Sequence, residues 1–151
     1  METMIEELGS VMQSEVELGE SLLRVMMQKQ RSIVGLHGDD LTSLVVQEEG
    51  LIKPFQQLEE RRVRLTAEIA GRPVLMEKGT ATTITELLRH LTPSDALRIS
   101  TMSTRLRTVS ERIIHMNDQN RILLHRSLRF VQETLRLVTD DHTRQLVDHR
   151  M

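Results

Sequence analysis

The chain has 151 residues, with 22 acidic and 20 basic side chains and a net charge of −2, which is the size of one domain able to bury a core. Phe55 and Phe130 are its only aromatic residues, and it holds three prolines, seven glycines and no cysteine. This composition excludes a disulfide framework and a Cys-ligated zinc site. It also disfavours sheets, which draw on aromatic and β-branched pairs, and points to helices packed through Leu, Ile, Val and Met.

The first segment, Met1 to Glu7, is acidic where a signal peptide needs basic residues. No apolar run approaches the roughly 20 residues of a membrane span. The expectation is a cytoplasmic protein without membrane insertion. From about Met4 to Leu36, Leu8, Val11, Met12, Leu18, Leu22, Val25, Met26, Ile33 and Leu36 recur at three- and four-residue steps, the period of a helix with one apolar face. Gly9 and Gly19 interrupt it at about 1 kcal/mol each relative to Ala, so this helix depends on packing. Gly35 then supplies a stop, and Asp39 or Asp40 a cap for the next helix. So short a turn makes the two helices an antiparallel hairpin.

A second helix is expected over about 40–70, burying Leu41, Leu44, Val45, Leu51, Ile52, Phe55, Leu58, Leu65 and Ile69. Pro54 falls inside it and predicts a kink rather than a break. Gly71-Arg72-Pro73 ends it, and residues 71–82 read as a mobile connection. A short helix follows over about 83–91, with Ile84, Leu87, Leu88 and Leu91 along one side. Thr92-Pro93-Ser94-Asp95 then joins a capping hydroxyl, a proline at the first helical position and a first-turn carboxylate. The helix it opens is expected to run to about Val138, with a flexible tail over 139–151.

That last helix has two apolar seams. Ile99, Met102, Leu106, Val109, Ile113 and Met116 alternate steps of three and four, as in a coiled coil. In the same register the seam then meets Asn120, Leu123, Ser127, Phe130, Thr134 and Leu137, and alternate positions turn polar. A second row, Leu124, Leu128, Val131, Leu135 and Val138, takes over about 100° further round. At 1.5 Å per residue the long helix spans about 69 Å against about 50 Å for the first, so its end overhangs any bundle of the two. Two readings of the second row stay open: it receives an amphipathic helix from a partner protein, or the 83–91 helix or a second copy of the chain covers it. Asn120 reads first as a residue that fixes helix register, with Asn117 one turn earlier able to join it in a polar network, and second as a ligand contact.

Charge divides unevenly, 12 acidic and 4 basic side chains in residues 1–60 against 10 and 16 in the remainder. The simplest account is that the acidic part folds against the basic part. Nucleic-acid binding through Arg121, Arg126, Arg129 and Arg136 would want stacking aromatics or a reader motif, and the sequence has neither. The six histidines form neither His-Glu-x-x-His nor Glu-x-x-His. A Gly-rich phosphate loop and a Gly-x-Ser-x-Gly elbow are also missing. No enzyme, metal or cofactor is expected.

The whole reads as an all-α fold in one domain: an elongated antiparallel helical bundle, a coiled-coil-like hairpin with a long C-terminal helix. Its acidic first helix, its Gly38-Asp39-Asp40-Leu41 turn and the segment Asn117-x-x-Asn120-x-x-Leu123-Leu124-x-x-Ser127-Leu128-x-Phe130-Val131 resemble the FlgN family of flagellar type III export chaperones. The resemblance implies a cytoplasmic chaperone that binds the C-terminal amphipathic helices of hook-associated (hook-filament junction) proteins. It would prevent their premature assembly and deliver them to the flagellar export apparatus. By position it assigns partner binding to Leu124, Leu128, Val131, Leu135 and Val138. It marks Asn117, Asn120, Leu123, Ser127 and Phe130 as family motif residues with a structural role. The alternative is a scaffold coiled coil acting by self-association, as a homodimer.

Overall fold

A computed structural model of the chain describes residues 2–71 and 80–148. Most of the connection expected over 71–82 lies outside these residues, as does the end of the chain after Asp148. Four helices are seen: α1 (Glu2–Val34), α2 (Gly38–Ala70), α3 (Thr80–Leu88) and α4 (Pro93–Asp148). The described residues contain no strand.

The α1–α2 turn differs from the expected one. Gly35 still makes the helical bond to Arg31, and it is Leu36 that turns left-handed, at φ 56°. The Leu36 amide bonds Ile33 O and the His37 amide bonds Ser32 O at 3.0 Å, the paired closure of a Schellman motif. The turn is so tight that α2 starts at once. Its cap position is His37, which makes no side-chain bond, while Asp39 and Asp40 stand inside the first turn, where they complement the helix dipole instead of capping it. A leucine in this conformation costs about 1–2 kcal/mol. Because Leu36 is 58% exposed, Leu36→Gly should lose little packing and raise stability by about 1 kcal/mol in urea denaturation.

α2 runs unbroken through Pro54 and stops at Gly71, left-handed at φ 66°. α3 is set three residues earlier than expected, over Thr80–Leu88. At the start of α4 the Asp95 amide bonds the Thr92 hydroxyl at 3.3 Å. α4 then continues ten residues past Val138, through most of the segment expected to be a flexible tail. Nothing between Pro93 and Asp148 is Pro or Gly, and polar residues alone do not end a helix.

α1 lies in the middle. α2 returns antiparallel along one side, pairing Arg61 with Glu7 and, at 3.0 Å, Lys29 with Glu48. α4 runs parallel to α1 along the other side: Arg98 lies against Gly9, Val109 against Gly19, and Asn120 against Met26. Because α1 is covered on both sides, it buries Ile5, Val16 and Leu23 in addition to Leu8, Val11, Met12, Leu22, Met26 and Ile33. Leu36, expected on that face, is outside it. One core cluster joins all four helices through Leu8, Met12, Leu65, Leu87, Ile99 and Met102. A second joins α1 to α4 through Val16, Leu23, Leu106 and Val109, with Phe55 of α2 against it.

At Gly19 α1 approaches α4 closely. A Cβ there would lie 2.5 Å from Val109 Cγ1 and 3.3 Å from Phe55 Cε2. Gly19→Ala would gain about 1 kcal/mol of helix propensity and incur about 1–3 kcal/mol of overpacking. A net loss of about 1–2 kcal/mol in urea denaturation is expected; a gain would mean that the two helices part freely.

Candidate protein-docking site

α1 and α4 start at the same end of the molecule, and α4 has 56 residues against 33. At 1.5 Å per residue it therefore extends about 35 Å beyond the end of α1. α3 sits at the other end, with Leu87 fully buried among Leu8, Leu65, Ile99 and Met102. It does not cover the second seam.

Burial along α4 marks where the bundle ends. Ile99, Met102, Leu106 and Val109 are buried, Ile113 and Met116 half-buried, and Asn120 is 2% exposed. Asn120 Nδ2 donates to the Met26 carbonyl at 2.9 Å, tying α4 to α1 just before it leaves the bundle. Its Oδ1 is buried without a partner; sliding of α4 along α1 in either direction would break the Nδ2 bond and leave a second buried group unsatisfied. Leu123 and Ser127 are half-buried, and every residue from Leu128 to Asp141 is exposed.

Of the residues read from the sequence as partner-binding, Leu128, Val131, Leu135 and Val138 stand in this open stretch and Leu124 stands one turn before it. Leu124 is 44%, Leu128 53%, Val131 42%, Leu135 61% and Val138 61% exposed, and their four-three-four-three spacing sets them on one side of the helix. Of the motif residues, Asn117 and Phe130 are exposed, Asn120 is buried, and Leu123 and Ser127 lie between. Asn117 faces solvent and does not share the buried site of Asn120. Phe130 and Leu137 of the first seam are also more than half exposed and border the row on the side away from Leu128. The face is wider than one heptad row. A single exposed leucine needs no explanation, but a contiguous apolar stripe of this kind is the mark of a docking surface.

A sequence model of the family described as FlgN protein matches residues 1–147. The chain belongs to the FlgN family. Comparison with curated proteins and with solved structures gave no match. FlgN proteins are flagellar export chaperones, a role that requires no catalytic site. In this FlgN chain no group of three or more His, Cys, Asp or Glu among the described residues could hold a metal. No described helix is long and apolar enough to cross a membrane.

One polar feature of this FlgN protein went unnoticed in the sequence. Glu15 is fully buried in α1, and its Oε2 accepts from Nε of Arg62 in α2 at 2.8 Å. Its other oxygen has no partner. Burial pushes the Glu15 carboxyl up to about 7, against the lowering effect of Arg62. The signal was available: Glu15 lies three and four residues after Met12 and Val11, on a seam position where an apolar residue belongs. With Glu7–Arg61 it forms two contacts between the acidic and the basic parts of the chain. Both lie far from the overhang.

Proposed function

We propose that the overhanging part of α4 binds the C-terminal amphipathic helices of hook-associated proteins in the cytoplasm, keeps them from premature assembly and presents them to the flagellar type III export apparatus. The observation that carries this reading is the open apolar stripe Leu124, Leu128, Val131, Leu135 and Val138, which nothing among the described residues of the chain covers. Family membership supports hook-associated proteins as the class of client. A helix laid into such a stripe buries its own apolar face there, and four-three spacing is what interdigitating side chains need. Asn117, Asn120, Leu123, Ser127 and Phe130 precede or border the stripe; in this reading Asn120 holds α4 in place and does not touch the client.

The test is light scattering of the full chain with the C-terminal segment of a hook-associated protein. A monomer that passes to a 1:1 complex is expected. A dimer stable to dilution that ignores the segment would instead make this a self-associating scaffold.

A further inference from the structure

The charges around the overhang are as unevenly placed as its apolar residues. Residues 121–138 hold four arginines, Arg121, Arg126, Arg129 and Arg136, and a single acid, Glu133. Wound at 100° per residue, all five fall on one half of the helix, and the other half, about 180° wide, carries no charge between Asn120 and Val138. Arg121 borders this neutral half on the Leu128 side, with Arg136 and Arg129 beyond it, and Arg126 borders it on the Leu137 side. Arg121 leans on Asp118 of its own helix at 3.4 Å. Among the described residues Arg126, Arg129 and Arg136 enter no ion pair, and all four side chains are exposed.

We infer that the overhang selects acidic amphipathic helices: the client's docking helix carries Asp or Glu on both sides of its apolar seam, opposite these arginines. The inference rests on the docking role proposed above and adds to it the chemistry of the client. In a helix pair, residues flanking the apolar seam meet their counterparts across the interface and decide which partner is accepted. A lysine-flanked helix would set like charges together, and so would a second copy of this chain paired through the same face. An anionic bilayer would also satisfy the arginines but makes no use of four-three spacing, because lipid inserts no side chains between those of the helix. A nucleic-acid backbone would leave the neutral half unused.

The experiment uses the full chain and three synthetic helical peptides with one shared leucine seam, flanked by Glu, Gln or Lys. Fluorescence anisotropy should place the Glu peptide about tenfold tighter than the Gln peptide, with the Lys peptide weakest. Raising salt from about 50 to about 500 mM should shrink that advantage, since exposed charges are screened beyond a few ångströms. In Arg121→Gln/Arg126→Gln/Arg129→Gln/Arg136→Gln the Glu peptide should fall to the level of the Gln peptide, and the Gln peptide should be unaffected. Equal affinity of the Glu and Gln peptides for the unaltered chain, with both lost in Leu128→Asp/Leu135→Asp, would overturn the charge selection and leave the docking role intact. Binding that ignores the Asp substitutions, or no binding by any peptide, would overturn both. Tighter arginine-dependent attachment to phosphatidylserine vesicles or to a DNA duplex than to the Glu peptide would also reject the inference.

Discussion

The double substitution Leu128→Asp/Leu135→Asp is expected to weaken client binding at least about a hundredfold, because burying each leucine is worth about 1.5–3 kcal/mol and 1.4 kcal/mol is a factor of ten. The carboxylates add the cost of desolvating a charge against an apolar partner. Both positions are more than half exposed in the free chain and lie beyond the end of α1. The fold should therefore hardly notice: surface changes of this kind stay within about 0.5 kcal/mol each. Circular dichroism and a urea midpoint check that the helix persists, and titration calorimetry with the client segment reads the affinity. Full affinity in a variant that keeps its helicity would remove this face from the function.

Arg62→Met is expected to be the most damaging single change to the fold, and its effect should depend on pH. Removing one partner of a buried ion pair typically costs about 3–5 kcal/mol, because the other charge stays buried without compensation. Glu15 has an escape, since it can protonate. Its folded pKa of about 7 stands above the ordinary carboxylate value of 4.5, so between the two the folded chain holds a proton there that the unfolded chain has released. The stability linked to that proton is fully present below about pH 4.5 and is lost as the pH rises through 7. Taking Arg62 away removes the influence that lowers the pKa, so the loss at high pH deepens. The substitution should cost more at pH 8 than at pH 5, by about 1 kcal/mol, since pH 8 lies one unit above the Glu15 value of about 7, as read by urea denaturation at both. Glu15→Leu/Arg62→Met should recover most of the stability at pH 8, as apolar replacements of buried ion pairs often do. A double variant as weak as the single one would show that the cost comes from the shape of Arg62 and not from the charge left behind.

Much of this molecule was legible from periodicity. The seam Ile99, Met102, Leu106 and Val109, the Thr92-Pro93 start and the stop at Gly71 are local signals, and each appears in the structure where the spacing placed it. In the first turn a glycine is only a permission: Gly35 stays helical, and the hydrogen bonds from Leu36 and His37 make Leu36 the left-handed residue. The second apolar row of α4 ends at Val138, yet a helix needs only its own backbone bonds and the absence of breakers to continue, and α4 runs to Asp148.

By itself the sequence determined that the chain is helical, where the helices begin to within a few residues, and that α4 carries a second apolar row, because these follow from local start signals and the period of one helix. Whether that row is open was decided only by the tertiary structure. It depends on α3 packing Leu87 at the opposite end, on α1 ending 23 residues short of α4, and on Asn120 holding α4 to the Met26 carbonyl. The same holds for Gly19 and for the Glu15–Arg62 pair. A close approach, a buried charge and an uncovered face are properties of two or more helices together, and no pattern along one of them contains its neighbours.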